Sequence, residues 1–232
     1  MPELNGTKLV FQEENILRYL GYGERSPSLI LQKRVGPLVD VARKLSQPKA
    51  VWEVYACDEL EEREVKSLPE PIRRAEFFAF ALCTVGDRIE GGIRALNAEG
   101  KMVEGLILDA LGSVAVSELA EMVASEIRQW ARERGYGVSR AFEPGAGAGD
   151  WPLANQRLVF GRLPAVELGV TLTEDLLMQP RKSLSFVMGI GKHVIPIPHP
   201  FSCAGCPRAD CPFRYVPGGE GVLRGGKGGF HA

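Results

Sequence analysis

Residues 101–134 carry the strongest periodic signal in this chain. Leu111, Ala115, Leu119, Met122, Val123, Ile127 and Trp130 recur at helical spacing, which gathers them on one face. Glu118, Glu121, Arg128, Arg132 and Glu133 supply the polar side, and Gly135 and Gly137 follow as a helix terminator. The pattern predicts one long helix, bent at Gly112. A helix with an extended apolar face needs a second layer to cover it.

The rest of the chain offers that layer. Residues 51–57 alternate and are rich in β-formers, 75–85 (AEFFAFALCTV) read as a buried strand, and 184–190 as a third. Residues 8–22 read as a short strand and then a helix ended by Gly21 and Gly23. A second helix is expected over 28–45, kinked or interrupted at Gly36-Pro37. A short one over 87–97 is capped by Asp87, and another covers 153–163. Residues 60–71 are charged and bounded by Pro, hence an exposed connection, and 166–172 begin a further element. Thr171 or Thr173 is placed to cap a one-turn helix that Pro180 ends. Strands and helices follow no βαβ cadence, so the fold class is α+β: a mostly antiparallel sheet beside long helices. The expected organisation is one domain over residues 1–200, a cysteine segment over 201–215, and a Gly-rich disordered tail over 216–232.

Charge narrows the partners. With 28 Lys+Arg against 29 Asp+Glu the net charge is −1, which argues against nucleic acid, since phosphate neutralisation needs a basic excess. The first residues lack a basic, apolar leader, and no apolar run approaches the roughly 18–20 residues of a membrane span. A cytoplasmic protein with reduced thiols, without a membrane partner, is the expectation.

Three segments could carry chemistry. Cys203-x2-Cys206-x4-Cys211 spaces thiolates to converge on zinc or an iron–sulfur cluster. Gly205 permits the turn, Pro207 and Pro212 stiffen it, and Arg208 and Arg214 offset thiolate charge. Three cysteines are one ligand short of a closed site. His199 is the nearest fourth, Cys57 a distant one, and an exogenous ligand a third option. The competing reading is unliganded thiols. The second segment, 140–152, is a glycine-dense loop headed by Arg140. It lacks the strand–GxGxxG–helix context and the P-loop pattern, but its backbone can approach a ligand and Arg140 can clamp a carboxylate. A plain surface connection is the alternative. In the third, 171–185, Ser183 and Ser185 share a strand face and either bond a ligand or satisfy backbone. His193, His199 and His231 are all C-terminal, and neither GxSxG nor HExxH occurs. Asp109, Glu118, Glu121 and Glu126 fit a solvated helix face unless a ligand lies beside it.

Together these segments resemble the activation (reactivation) domain of vitamin B12-dependent methionine synthase, and more closely its stand-alone forms. The resemblance rests on Arg18-Tyr19-Leu20-Gly21-Tyr22, on residues 108–116 (LDALGSVAV), on 140–153 with Pro144-Gly145 and Gly149-Asp150-Trp151-Pro152-Leu153, on Gln156, on 169–174 (GVTLTE), and on Met178-x-Pro180-x-Lys182-Ser183-x-Ser185. It covers residues 95–192 well and the N-terminal part weakly. It implies a C-shaped α+β fold with a twisted antiparallel sheet, and binding of S-adenosylmethionine for remethylation of cob(II)alamin with an electron from flavodoxin. Arg140 matches the Arg of the family's RPxxGY loop. Ala141 and Phe142 stand for its Pro-Ala, and Ala146 for its Tyr. Glu121, or else Glu118, matches a ligand-contacting carboxylate of the long helix. The family's N-terminal Asp contact and its HPDSKYF-like run have no counterpart; Gly191-Lys192-His193-Val194 and the cysteines stand there instead.

The implied cofactor-binding set is Arg140, Ala141, Phe142, Gly145, Glu121, Glu118, Ser183 and Ser185, and the metal set is Cys203, Cys206, Cys211 and His199. The implied function is that of an accessory protein for corrinoid-dependent methyl transfer, supporting reductive reactivation of a B12 protein. No DxHxxG motif is present, so cobalamin arrives on a partner, a corrinoid protein or B12-dependent methyltransferase. An iron–sulfur site on the same chain could relay the electron that another donor supplies in the synthase. The alternatives are a metal or Fe–S redox or scaffold protein on this fold without S-adenosylmethionine, and an unrelated small-molecule enzyme. The pattern does not separate an enzyme from a binding protein.

Overall fold

The computed structural model describes residues 9–22, 27–146, 151–203, 211 and 214. Cys206, Gly147, Gly149, Asp150 and the whole tail over 216–232 lie outside the described residues. In chain order the elements are α1 (Glu13–Tyr19), α2 (Leu29–Leu45), β1 (Lys49–Ala56), α3 (Glu62–Ser67), β2 (Phe77–Thr84), α4 (Arg88–Ala98), α5 (Met102–Arg132), β3 (Gly137–Val138), α6 (Gln156–Arg162), β4 (Thr171–Leu172), β5 (Met178–Gln179) and β6 (Ser183–Gly191). The fold is α+β. Four strands form an antiparallel sheet in the order β1-β2-β6-β3, and β4 and β5 form a separate hairpin.

Alternation along β2 explains the layering. Ala79, Ala81 and Cys83 face the side covered by α5, whereas Phe78, Phe80 and Leu82 fill the opposite core. Small residues let the helix lie close to the sheet, and large ones thicken the face covered by short elements. Burial also holds the Cys83 thiol far above its usual pKa, so it serves as a packing group. No helix among the described residues is long and apolar enough to cross a membrane.

The long helix runs 31 residues, about 46 Å at 1.5 Å per residue. It is continuous through Gly112, where the missing side chain leaves a notch. A Cβ there would meet Ile89 Cγ2 and Lys182 Cε, each at 3.0 Å. The missing side chain lets Lys182 cross the helix and bond Asp109 Oδ1 at 2.9 Å and Ser113 Oγ at 3.0 Å. The interruption expected at Gly36-Pro37 is absent. Helix α2 carries Pro37 inside it, packs on α4 and α5, and starts at Ser28, whose hydroxyl accepts from the Leu31 N–H at 3.3 Å; tertiary packing outweighs the lost bond. Asp87 occupies the N-cap of α4 but its side chain makes no cap bond.

Three further expectations are corrected. Residues 60–71 are not simply exposed: α3 lies within them, and Leu68 and Ile72 are buried in the core opposite α5. Residues 9–12 form no strand; their backbone donors serve another purpose, described below. Instead of a one-turn helix after Thr173, β4 and β5 form a hairpin. Its turn is closed by the Leu176 N–H on the Thr173 carbonyl at 3.0 Å and the Leu177 N–H on Thr173 Oγ1 at 3.1 Å.

Candidate functional site

The site is organised by an irregularity at the sheet edge. Val138 pairs with Ile190, and Phe142 pairs with Val187. Residues 139–141 on one strand therefore oppose only 188 and 189 on the other, which is a β-bulge. Ser139 holds it together: its hydroxyl accepts from the Gly189 N–H at 2.9 Å and donates to the Arg140 carbonyl at 2.7 Å. Past the bulge, Ala141 packs into the core beneath α5, and Phe142 packs into the core on the other face. Arg140 lies over the Phe142 ring, 4.1 Å from its centroid.

Two clefts flank this edge. The first, about 480 Å³, lies between α1, α5, residue 143 and the stretch 199–201. Arg18 and Tyr19 come from α1, and Glu118, Glu121 and Met122 from one face of α5, while Glu143, His199 and Phe201 close the remaining sides. Glu118 and Glu121 sit one turn apart but do different work. The Glu118 carboxylate accepts three backbone N–H groups, from Val10 at 2.9 Å, Phe11 at 3.1 Å and Gln12 at 3.0 Å. Phe11 takes a positive φ of 59°, the conformation that turns successive N–H groups toward one anion. Glu118 thus latches the N-terminal segment, and Tyr19 Oη adds a hydrogen bond to Ser117 Oγ at 2.8 Å.

Glu121 and Glu143 are different. Neither side chain makes a hydrogen bond or ion pair with a described residue, and both are partly buried. Burial raises the Glu121 pKa, opposed by His199, Arg128 and Arg18. Burial pushes Glu143 up to about 7, with Arg140 pulling the other way. Carboxylates in this condition favour either a proton or an arriving cation.

The second cleft, about 460 Å³, lies on the other side of the edge and includes Arg74, Glu76, Arg140, Phe142, His193 and Ile195. Glu76 is engaged there, accepting the Lys192 N–H at 2.7 Å.

The set anticipated from the sequence is therefore divided. Glu118, Glu121 and His199 line the first cleft, and Arg140 and Phe142 the second. Ala141 is buried, its N–H donating to the Pro200 carbonyl at 2.9 Å. Gly145 takes a φ of +79° and donates its N–H to the Trp151 carbonyl at 2.8 Å, which closes the loop on itself. Ser183 Oγ donates to the Pro180 carbonyl at 2.7 Å and bonds Thr84 Oγ1 at 2.9 Å, and Ser185 Oγ bonds Gln156 Oε1 at 2.7 Å. Both serines are buried and serve packing in these contacts. Trp151, fully buried, donates Nε1–H to the Ser67 carbonyl at 2.9 Å and pins the loop end to α3.

Among the described residues, Cys203 and Cys211 are free thiols, and no three His, Cys, Asp or Glu side chains come together as a metal site. Cys206 lies outside that description. Cys57 opens a short 3-10 turn after β1 and packs against the core opposite α5. Sequence reasoning missed Arg18, Tyr19, Glu143 and Phe201. Arg18-Tyr19 stood within the N-terminal run that carries the resemblance, and Glu143 was signalled only by being a carboxylate just before Pro144-Gly145.

No protein-family model matches the sequence, and no curated protein matches it. Solved structures do. The crystal structure of the MetH reactivation domain bound to AdoHcy aligns with a TM-score of 0.58 at 14% identity, over 87% of this chain and 79% of that one. The chain therefore shares the fold of that reactivation domain across nearly its whole length.

Proposed function

We propose that this protein is an accessory factor of corrinoid-dependent methyl transfer that supports reductive reactivation of a B12 protein. In this reading it holds S-adenosylmethionine, or a close adenosyl relative, in the cleft between α1, α5 and Glu143. The observation that carries the reading is the shared fold with a domain whose crystal structure holds AdoHcy. The cleft supports it: its volume of about 480 Å³ suits a small molecule, and it presents Glu121 and Glu143, which make no hydrogen bond or ion pair with a described residue. Cobalamin would arrive on the partner, a corrinoid protein or B12-dependent methyltransferase, because the chain has no DxHxxG motif.

Calorimetry with S-adenosylmethionine and S-adenosylhomocysteine tests the ligand. Micromolar to submillimolar binding that weakens in Glu121→Gln supports the reading; no binding of either compound at millimolar concentration counts against it. Arg140→Ala asks a separate question. Since Arg140 lines the opposite cleft, loss of binding in that variant means that the ligand reaches around the sheet edge.

A second reading rests on Cys203-x2-Cys206-x4-Cys211: a zinc or iron–sulfur protein on the same fold, acting in electron transfer or as a scaffold. Metal analysis of anaerobically purified protein, with Cys203→Ser and Cys211→Ser as controls, tests it. A stoichiometric metal lost in both variants supports it, and metal-free protein after reconstitution with iron, sulfide or zinc removes it.

A further inference from the structure

The second cleft, on the far side of the sheet edge from the first, gathers N–H donor side chains from three parts of the chain. Arg74 comes from the turn before β2, Arg140 from the edge bulge and His193 from the turn after β6. Arg74 and His193 make no hydrogen bond or ion pair with a described residue. Glu76 is the one carboxylate among the lining residues, and its Oε1 accepts the Lys192 N–H at 2.7 Å. Arg140 is stacked 4.1 Å from the Phe142 ring centroid, which fixes the plane of its guanidinium. Glu143 acts on Arg140 from across the edge, so Arg74 carries most of the unbalanced charge.

The stretch after β6 builds the other wall. Its turn is closed by the Val194 N–H on the Gly191 carbonyl at 3.3 Å, and the Ile197 N–H then bonds the Val138 carbonyl at 3.3 Å. A Cβ at Gly137 would run into the Val194 carbonyl, so the glycine lets this stretch lie against β3 and present His193 beside the bulge. Ile195 is 82% exposed and Ile197 half-buried on the same wall. Guanidinium and imidazole N–H groups receive oxyanions, and the isoleucines receive an apolar body. We infer that this cleft binds a phosphate monoester, with Arg74 and His193 holding the phosphate beside Arg140 and the organic group lying on Ile195 and Ile197. A phosphate dianion offers three acceptor oxygens and uses donors from all three segments at once, whereas the two oxygens of a carboxylate are matched by one guanidinium. The volume of about 460 Å³ accommodates a small ester of this kind. The site is separate from the adenosyl reading of the first cleft and stands or falls without it.

The test is titration calorimetry on the full chain at about pH 7.5, where a phosphate monoester is mostly the dianion. The probes are phenyl phosphate, inorganic phosphate and benzoate. Phenyl phosphate is expected to bind about tenfold tighter than inorganic phosphate, because only the ester covers the apolar wall, and about tenfold tighter than benzoate, which carries less charge. Arg74→Ala and His193→Ala should each weaken phenyl phosphate by about three- to tenfold, the order of one exposed charge-assisted hydrogen bond. Ile195→Ser should lower the affinity for phenyl phosphate and leave that for inorganic phosphate unchanged. Arg43→Ala removes an exposed charge outside both clefts and should change neither. All of these side chains except Arg140 and Ile197 are exposed, so the variants are expected to keep the fold. No binding of phenyl phosphate at millimolar concentration would overturn the inference. So would affinity unchanged in both Arg74→Ala and His193→Ala, or lowered as much by Arg43→Ala, which would mean diffuse attraction to the surface. Benzoate bound as tightly as phenyl phosphate would replace the phosphate with a carboxylate. Hydrogen exchange places the ligand: phenyl phosphate should protect residues 71–76 and 191–197, and protection of 10–19 and 199–201 instead would remove it from this cleft.

Discussion

Glu118, Glu121 and Glu143 are three glutamates around one cavity, and their contacts alone distinguish them. Glu143 titrates near neutrality because burial disfavours its charge. Its folded-state pKa lies above the unfolded value, so the folded protein binds that proton more tightly. The resulting stability is fully present below about pH 4.5 and is lost as pH rises through about 7. Glu143→Gln should therefore raise the melting temperature at pH 8 and change little at pH 5, with a gain on the order of 2 kcal/mol at the higher pH. Equal shifts at both values would mean that the effect is packing rather than charge. Glu118 is instead satisfied by the backbone of residues 10–12. Its three backbone bonds make Glu118→Ala costly, by about 2–3 kcal/mol, a loss that should appear as undocking of α1. In the sequence the helical carboxylates look alike, since periodicity places Glu118 and Glu121 on one face without revealing that residues 10–12 will fold back onto the first. The latch depends on a positive φ at Phe11, which no local pattern announced.

At the level of elements, the strands and the long helix were readable because alternation and helical spacing are strong local signals. The edge bulge was not. It exists only as a mismatch between two strands nearly fifty residues apart in the chain, and past it Arg140 lines one cleft and Glu143 the other. Glycines show the same limit. Gly36 and Gly189 are indistinguishable by type, yet a Cβ at Gly36 meets nothing within 4 Å, while at Gly189 it meets Ile72 Cβ at 2.8 Å and Ala75 Cβ at 3.1 Å. Gly36→Ala in α2 should therefore stabilise the protein by about 0.5–1 kcal/mol through helix propensity. Gly189→Ala in β6 should destabilise it by about 1–3 kcal/mol, because the turn around Ile72 must move off the sheet. Urea unfolding of the two variants checks both signs. A stable Gly189→Ala would show that the 72–75 segment is not held against β6.

Among the described residues, segments 10–19 and 199–201 meet beside α5. The first cleft draws residues 10–19, 117–122, 143, 184 and 199–201 together, so chain segments nearly two hundred residues apart become neighbours around one cavity. The sheet beneath contributes rigidity: β2 and β6 are central, paired on both sides and fully buried along most of their length. Helix α1 is seven residues long and buries only Ile16 within it, so the Glu118 latch and the cleft contacts carry much of its docking. Stability should accordingly be uneven, with α1 opening well below the free energy of global unfolding. Hydrogen exchange followed by mass spectrometry should find slow exchange in β2 and β6 and faster exchange over residues 10–19. Ligand binding to the folded state should suppress that local opening by mass action. S-Adenosylmethionine is thus expected to slow exchange in 10–19 and 197–202 while leaving β1 and β2 unchanged, and Glu118→Ala should speed exchange in 10–19 alone. Protection spread evenly over the molecule would contradict a ligand seated between residues 10–19 and 199–201, and protection confined to residues 71–76 and 191–197 would move the site to the cleft beneath Arg140.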